Sequence, residues 1–386
     1  MEFIKKIGKS ENGSVTVYVV STLIVVLLVT TTIYIGLRNK TTTQIKQMDK
    51  INKEYSVTDT DMQEAYDKAI MGTLESVKGT ETTNTTVKDN LGNKVVVPAG
   101  FKVINPNDNV TNGIVVEDVS HSATAGSQFV WIPVGEVVKE IKDGVKSTET
   151  IKLSRYTFAD DKVGTPTDQG AKTIESFFTE VNTSTYGNTI AKDIEDFKNK
   201  VTNTTHGYYI GRYEARDKDA TETRTSSSNK TNQLVCTANN YVYNYITHPK
   251  AAELSRGMYS DSNFESDLIN SYAWDTAIVF LQKFDNRANK ASLKPYSRQT
   301  SLNNNLARQG TNNLSDTSKQ DVICNVYDMA GNCREWTTET YRNSGSPCTY
   351  RGGRYYDSYG CTSYRHGYGL TTGRNYGISF RTLLYM

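Results

Sequence analysis

The sequence predicts an α+β domain with much irregular structure at residues 94–386, preceded by a transmembrane helix at 15–37 and a helical stalk at 38–77. Three observations predict it. Residues 15–37 are 23 consecutive uncharged residues, enough at ~1.5 Å per residue to cross a ~30 Å hydrocarbon layer. Apolar residues at mostly three- and four-residue spacing mark helices: Ile45, Met48, Ile51 and Tyr55, then Met62, Tyr66, Ile70, Leu74 and Val77 in the stalk, and further segments at 172–181, 190–201 and 273–284. Short β-branched runs at 94–97, 113–117 and 127–134, separated by Gly, Asn and Asp, mark strands joined by turns. Strands and helices mixed along one segment give the α+β class.

Taken in order, residues 1–14 form a short basic leader carrying Lys5, Lys6 and Lys9. The apolar run that follows ends in Arg38-Asn39-Lys40 rather than in a small-residue cleavage site, so it reads as an uncleaved anchor. Positive charges flank it on both sides and leave its orientation open. The leader, Gly13 and the long apolar run also resemble a type IV pilin or pseudopilin start, but Tyr18 stands at the fifth position after Gly13, where such chains carry Glu. In the stalk, two or three heptads do not separate a free coiled coil from a helix lying on the next domain. Residues 78–93 are polar and Thr-rich, a linker by composition. Within the domain, 217–232 and 301–320 read as exposed polar loops.

Charge and motifs remove several functions. With 44 Lys and Arg against 42 Asp and Glu, the net charge is +2, so no nucleic-acid partner is expected. The four His (His121, His206, His248, His366) are scattered, without the paired spacing of a zinc or di-iron site. No Walker A loop, dinucleotide fingerprint or Gly-x-Ser-x-Gly elbow occurs. The five Cys (Cys236, Cys324, Cys333, Cys348, Cys361) contain no Cys-x-x-Cys pair, and an odd count leaves at least one thiol unpaired. No metal or other cofactor is expected.

Four segments recur in an order that one family shares: 129–134 (FVWIPV), 207–214 (GYYIGRYE), 325–336 (NVYDMAGNCREW), and Arg351-Gly352-Gly353 followed by Phe380-Arg381. Over about residues 95–386 the chain resembles the formylglycine-generating enzyme, or sulfatase-modifying factor, domain, which implies a C-type-lectin-like fold. The residues make physical sense on their own. Gly331-Asn332 can supply a turn with positive φ, Trp336 can anchor a core, and Gly352-Gly353 permits close backbone approach. Each reads as fold maintenance rather than catalysis. The enzymes of that family hold copper on two Cys, and Asp357 and Thr362 stand at the matching positions. The resemblance therefore implies the fold and leans away from the enzyme. A copper-dependent oxidase using Cys361 with Cys348 or Cys333 remains the enzymatic alternative, and a pilin-like subunit the structural one.

Tyrosine carries the functional reading. Residues 340–385 hold 9 of the chain's 25 Tyr, and include no Lys, Glu, Gln, Met or Trp. Tyr, Ser, Gly, Asn and Arg together are the chemistry of an adaptable binding surface: large amphipathic area at low entropy cost, beside forked donors. The five absent types are those that adenine-directed mutagenesis of AAC-like codons never yields. Residues 354–375, bracketed by Arg351-Gly352-Gly353 and Ile378-Ser379-Phe380-Arg381, thus resemble the variable region of a target protein of a diversity-generating retroelement, which commonly uses the same lectin-like fold.

The sequence accordingly points to a membrane-anchored, surface-displayed ligand-binding protein, held in the membrane through residues 15–37 with its C-terminal domain outside the cytoplasm. The expected contacts are Arg354, Tyr355, Tyr356, Asp357, Tyr359, Tyr364, His366, Tyr368, Arg374, Asn375 and Tyr376, within a variable-type region at about 340–381. The expected partner is a macromolecule or glycan on another cell, a phage or another surface.

Overall fold

The computed structural model describes residues 71–158, 163–167, 178–180, 194–220, 233–238, 241–261, 263–284, 322–341, 348–354, 362–369 and 375–386. The chain divides into Met1–Ile70 and Met71–Met386, and every described residue belongs to the second unit.

That unit is built mainly of β-strands, which corrects the expected α+β class. Its α-helices among the described residues are three: Ile194–Asn199, which runs on into a π-helical turn, His248–Arg256 and Ser271–Phe284. No helix among them is long and apolar enough to cross a membrane, so the expected transmembrane helix has no counterpart there. Residues 15–37 themselves, and 38–70 of the expected stalk, lie outside the described residues.

The core is a six-stranded antiparallel sheet in the order Glu265–Leu268, Thr382–Tyr385, Gly207–Gly211, Gln128–Pro133, Val115–Asp118 and Phe101–Val103. Its inner strands are apolar almost throughout, as expected of strands covered on both faces. Adjacent side chains of one strand point to opposite faces, and the Tyr pair shows both coverings. Tyr208 donates its hydroxyl to Ala273 O on the helix Ser271–Phe284 at 2.6 Å. Tyr209 turns the other way and donates to Val96 O at 3.0 Å. Val96 lies in a three-stranded sheet of Gly72–Thr73, Thr85–Lys88 and Lys94–Val97, in which Val87, Val95 and Val97 are fully buried. The stretch read as a linker at 78–93 thus contributes a paired strand, and the compact unit begins before it.

Local signals fix the two longer helices. Asn270 accepts the Ala273 N–H on its side-chain oxygen at 2.8 Å, capping Ser271–Phe284. Thr247 caps His248–Arg256, with Pro249 in its first turn. The helix Ser271–Phe284 then serves two sheets, because Asp275 and Trp274 reach a second one formed largely by the C-terminal tail.

Candidate functional site

The tail sheet pairs Arg334–Tyr341 with Cys348–Arg351 and then Arg365–Tyr368, all antiparallel. Ile378–Phe380 runs parallel beside Arg334–Tyr341, and Phe178–Glu180 lies antiparallel to it. The register sets two rows across the strands. Trp336 stands opposite Tyr350, which stands opposite His366; one residue along, Glu335 stands opposite Arg351, which stands opposite Arg365. Alternation sends these rows to opposite faces.

The charged face is sealed against the helix Ser271–Phe284. Arg351 meets Asp275 at 2.5 Å, and its other terminal nitrogen stands 3.6 Å from Glu339. Arg365 spans both carboxylates, Nη2 to Asp275 at 2.9 Å and Nε to Glu339 at 3.0 Å. Arg155 pairs with Glu339 as well. Asp275, Glu339 and Arg351 are fully buried. Burial alone would raise the Asp275 carboxyl, but the Arg351 and Arg365 guanidiniums and the Tyr156 N–H outweigh it and hold its pKa below the usual aspartate value. For Arg351, burial and then repulsion from Arg365 lower the pKa despite the two carboxylates.

Next to this cluster, the residues of the long motif meet in the core. Arg381 pairs with Glu335 through two nitrogens, at 2.9 and 2.6 Å, and donates to Gly211 O and Tyr327 O. Glu214 accepts from the Cys333 N–H at 2.8 Å and from the Asn332 side chain, while burial pushes its carboxyl well above the usual range. Asn325, Asp328 and Asn332 all have positive φ, at 63°, 61° and 53°. Gly352 has φ 78°, and a Cβ there would lie 2.7 Å from Met329 O. The motif residues therefore fold the chain, with the Trp336 ring fully buried and its N–H on Ile246 O.

The aromatic face grades outward. Along the row, Trp336 is 0% exposed and Tyr350 3%, and His366 on the edge strand is exposed. Tyr350, Tyr364 and His366 hold nearly parallel rings, with interplanar angles of 13° to 29° and centroids 5.6 to 6.4 Å apart. Tyr368 leans on both Tyr350 and Trp336. Arg334 donates to the Tyr350 hydroxyl at 2.6 Å, and its guanidinium carbon sits 4.7 Å from the Tyr350 ring centre and 5.0 Å from that of Tyr364.

Of the expected contacts, Tyr364, His366 and Tyr368 come together here. Asn375 and Tyr376 form a different group: Asn375 O accepts the Tyr245 N–H at 3.1 Å, Tyr376 O accepts from the Asn244 side chain at 2.9 Å, and the Tyr376 ring lies 6.4 Å from that of Tyr245. Arg354 is half-buried. Tyr355, Tyr356, Asp357, Tyr359 and Arg374 lie outside the described residues, as does Cys361. Arg334 and Tyr350 escaped the sequence reading, although the Arg334-x-Trp336 spacing places both side chains on one face of a strand.

Two thiols of the enzymatic alternative, Cys333 and Cys348, are buried. Burial pushes Cys348 up to about 12 and Cys333 well above its ordinary value. Among the described residues, no cluster of three or more His, Cys, Asp or Glu is placed to hold a metal ion. Thr362 is buried and spends its carbonyl on the Trp274 N–H at 3.0 Å. No family model, curated protein or solved structure matches the chain.

Proposed function

We propose that this protein binds a macromolecular or glycan ligand through the aromatic face of its tail sheet, on a lectin-like scaffold whose C-terminal segment is diversified at the DNA level. One observation carries the reading: the row from buried Trp336 through Tyr350 to exposed His366, with Tyr364, Tyr368 and Arg334 beside it. Each outer ring is backed by an inner one, so little side-chain freedom remains to be lost on binding. Such a face offers π surface, phenol hydroxyls and a guanidinium, a set that recognises sugars and protein surfaces without a reactive group.

Binding by the full-length chain tests the first part. Native protein and a Tyr364→Ala/His366→Ala variant are compared on one array of neutral, sialylated and sulfated glycans and on immobilised bacterial envelopes and phage particles. At least one feature should bind native protein and lose about tenfold or more affinity with the variant, roughly the contribution of one well-packed aromatic contact. Equal binding by both proteins wherever binding occurs contradicts the assignment of the face. The diversification is tested in the gene's neighbourhood: a near-copy of the last bases of the gene, differing at template adenines, is expected, and its absence leaves a fixed binding face.

A further inference from the structure

We infer that Arg365, although it lies inside the segment of variable type, is the positioning residue of the recognition face. Its guanidinium pins the edge strand Arg365–Tyr368 from behind and so presents Tyr364, His366 and Tyr368. The inference rests on the proposed use of that face for binding. Three observations support it.

First, parity separates Arg365 from its neighbours. On one edge strand, His366 faces outward and is exposed, while the Arg365 side chain, 6% exposed, reaches into the Asp275 and Glu339 carboxylates. Second, the fork reaches two elements at once. Asp275 belongs to the helix Ser271–Phe284 and Glu339 to the strand Arg334–Tyr341, two strands away in the sheet. A single side chain thereby fixes the edge strand against both. The carbonyl just before it, Tyr364 O, is held by Arg351 Nε at 3.2 Å and by the Gly352 N–H at 3.1 Å.

Third, among the described residues neither carboxylate of the cluster depends on Arg365 alone for a partner. Among the described residues, three guanidiniums (Arg155, Arg351, Arg365) meet two carboxylates in this cluster, and without Arg365 each carboxylate keeps a partner, Asp275 with Arg351 and Glu339 with Arg155. Arg365 instead repels Arg351, lowering its pKa after the larger effect of burial. Toward these two carboxylates Arg365 contributes geometry more than neutralisation.

The test uses the full-length chain with Arg365→Gln, Arg365→Met and Arg365→Lys, read by amide hydrogen exchange and thermal unfolding. In the Gln and Met variants, amides of 364–368 should exchange at least about tenfold faster, the factor expected from losing a hydrogen bond to a charged group. The central sheet should exchange at the native rate. The Lys variant keeps the charge but lacks the fork, so its exchange should stay raised. Native exchange at 364–368 in the Gln variant overturns the assignment. So does faster exchange spread over the central sheet, or failure of both Gln and Met variants to fold, because either makes Arg365 an ordinary core residue. Exchange is measured without ligand, so this outcome is independent of whether the face binds.

Discussion

On one side of the tail sheet, Arg351, Arg365, Glu335 and Glu339 are locked into ion pairs with Asp275 and Arg381. On the other, Tyr350, Tyr364, His366 and Tyr368 lean on Trp336 and rise toward solvent. Both sides draw on the same strands. What separates them is parity: a shift of one residue in register would bury the rings and expose the charges. The charged side is sealed into the fold, and the aromatic side reaches solvent at His366. Under the proposed function, a tail composed of Arg, Tyr, Gly and Ser serves as scaffold and recognition surface together.

The largest expected effect lies on the charged side. Asp275→Ala removes a carboxylate that accepts from Arg351, Arg365 and the Tyr156 N–H, taking from two buried guanidiniums one of the two carboxylates they share. It should destabilise the protein by about 3–5 kcal/mol in denaturant unfolding; a loss under 1 kcal/mol would show that the cluster is dispensable.

Acid should expose the next effect, behind the aromatic side. His248 donates its Nε2–H to Thr337 O at 2.6 Å beneath Trp336, and burial lowers its pKa to about 4. A folded-state value below the ordinary one of about 6.5 means that the unfolded chain takes up the proton first. Stability should fall as pH drops from about 6.5 to about 4, by about 3 kcal/mol. His248→Gln should flatten that part of the profile, and an unchanged slope would move its cause elsewhere. Asp275, held below the usual aspartate range, contributes stability present above its unfolded value and lost as pH falls through its folded one.

Smaller effects are expected toward the exposed end. Tyr350→Phe removes the acceptor of the Arg334 hydrogen bond and should lower stability by about 1 kcal/mol. His366→Ala should change stability by no more than about 0.5 kcal/mol, while weakening whatever binding the array reveals. A loss from His366→Ala as large as that from Asp275→Ala would erase the difference between the two sides.

Some of this was legible in the sequence. The short β-branched run at 127–134 becomes an inner strand of the central sheet, and the periodic segment at 273–284 becomes the helix Ser271–Phe284. The strand content was underread because several strands look polar. Thr85–Lys88 pairs through residues that read as a linker, and Cys348–Arg351 and Arg365–Tyr368 contain no aliphatic side chain. Helical periodicity was correspondingly overweighted, giving α+β where strands dominate.

The site divides in the same way. Composition named Tyr364, His366 and Tyr368 as expected contacts, and these stand together in the fold. It could not separate Arg365 from them, since burial depends on pairing with Glu339 and Asp275, 26 and 90 residues distant. Arg334 and Tyr350 were hidden for the same reason, because register between distant strands leaves no local mark.

A mutational scan of residues 334–381 in the full-length chain, read by resistance to protease, tests the division between the two faces most directly. Substitutions at Glu335, Trp336, Arg351 and Arg381 should abolish resistance, while Tyr364 and His366 should accept most residues with resistance near native. Equal intolerance at His366 and Arg351 would contradict the division, because the aromatic face would then be part of the core.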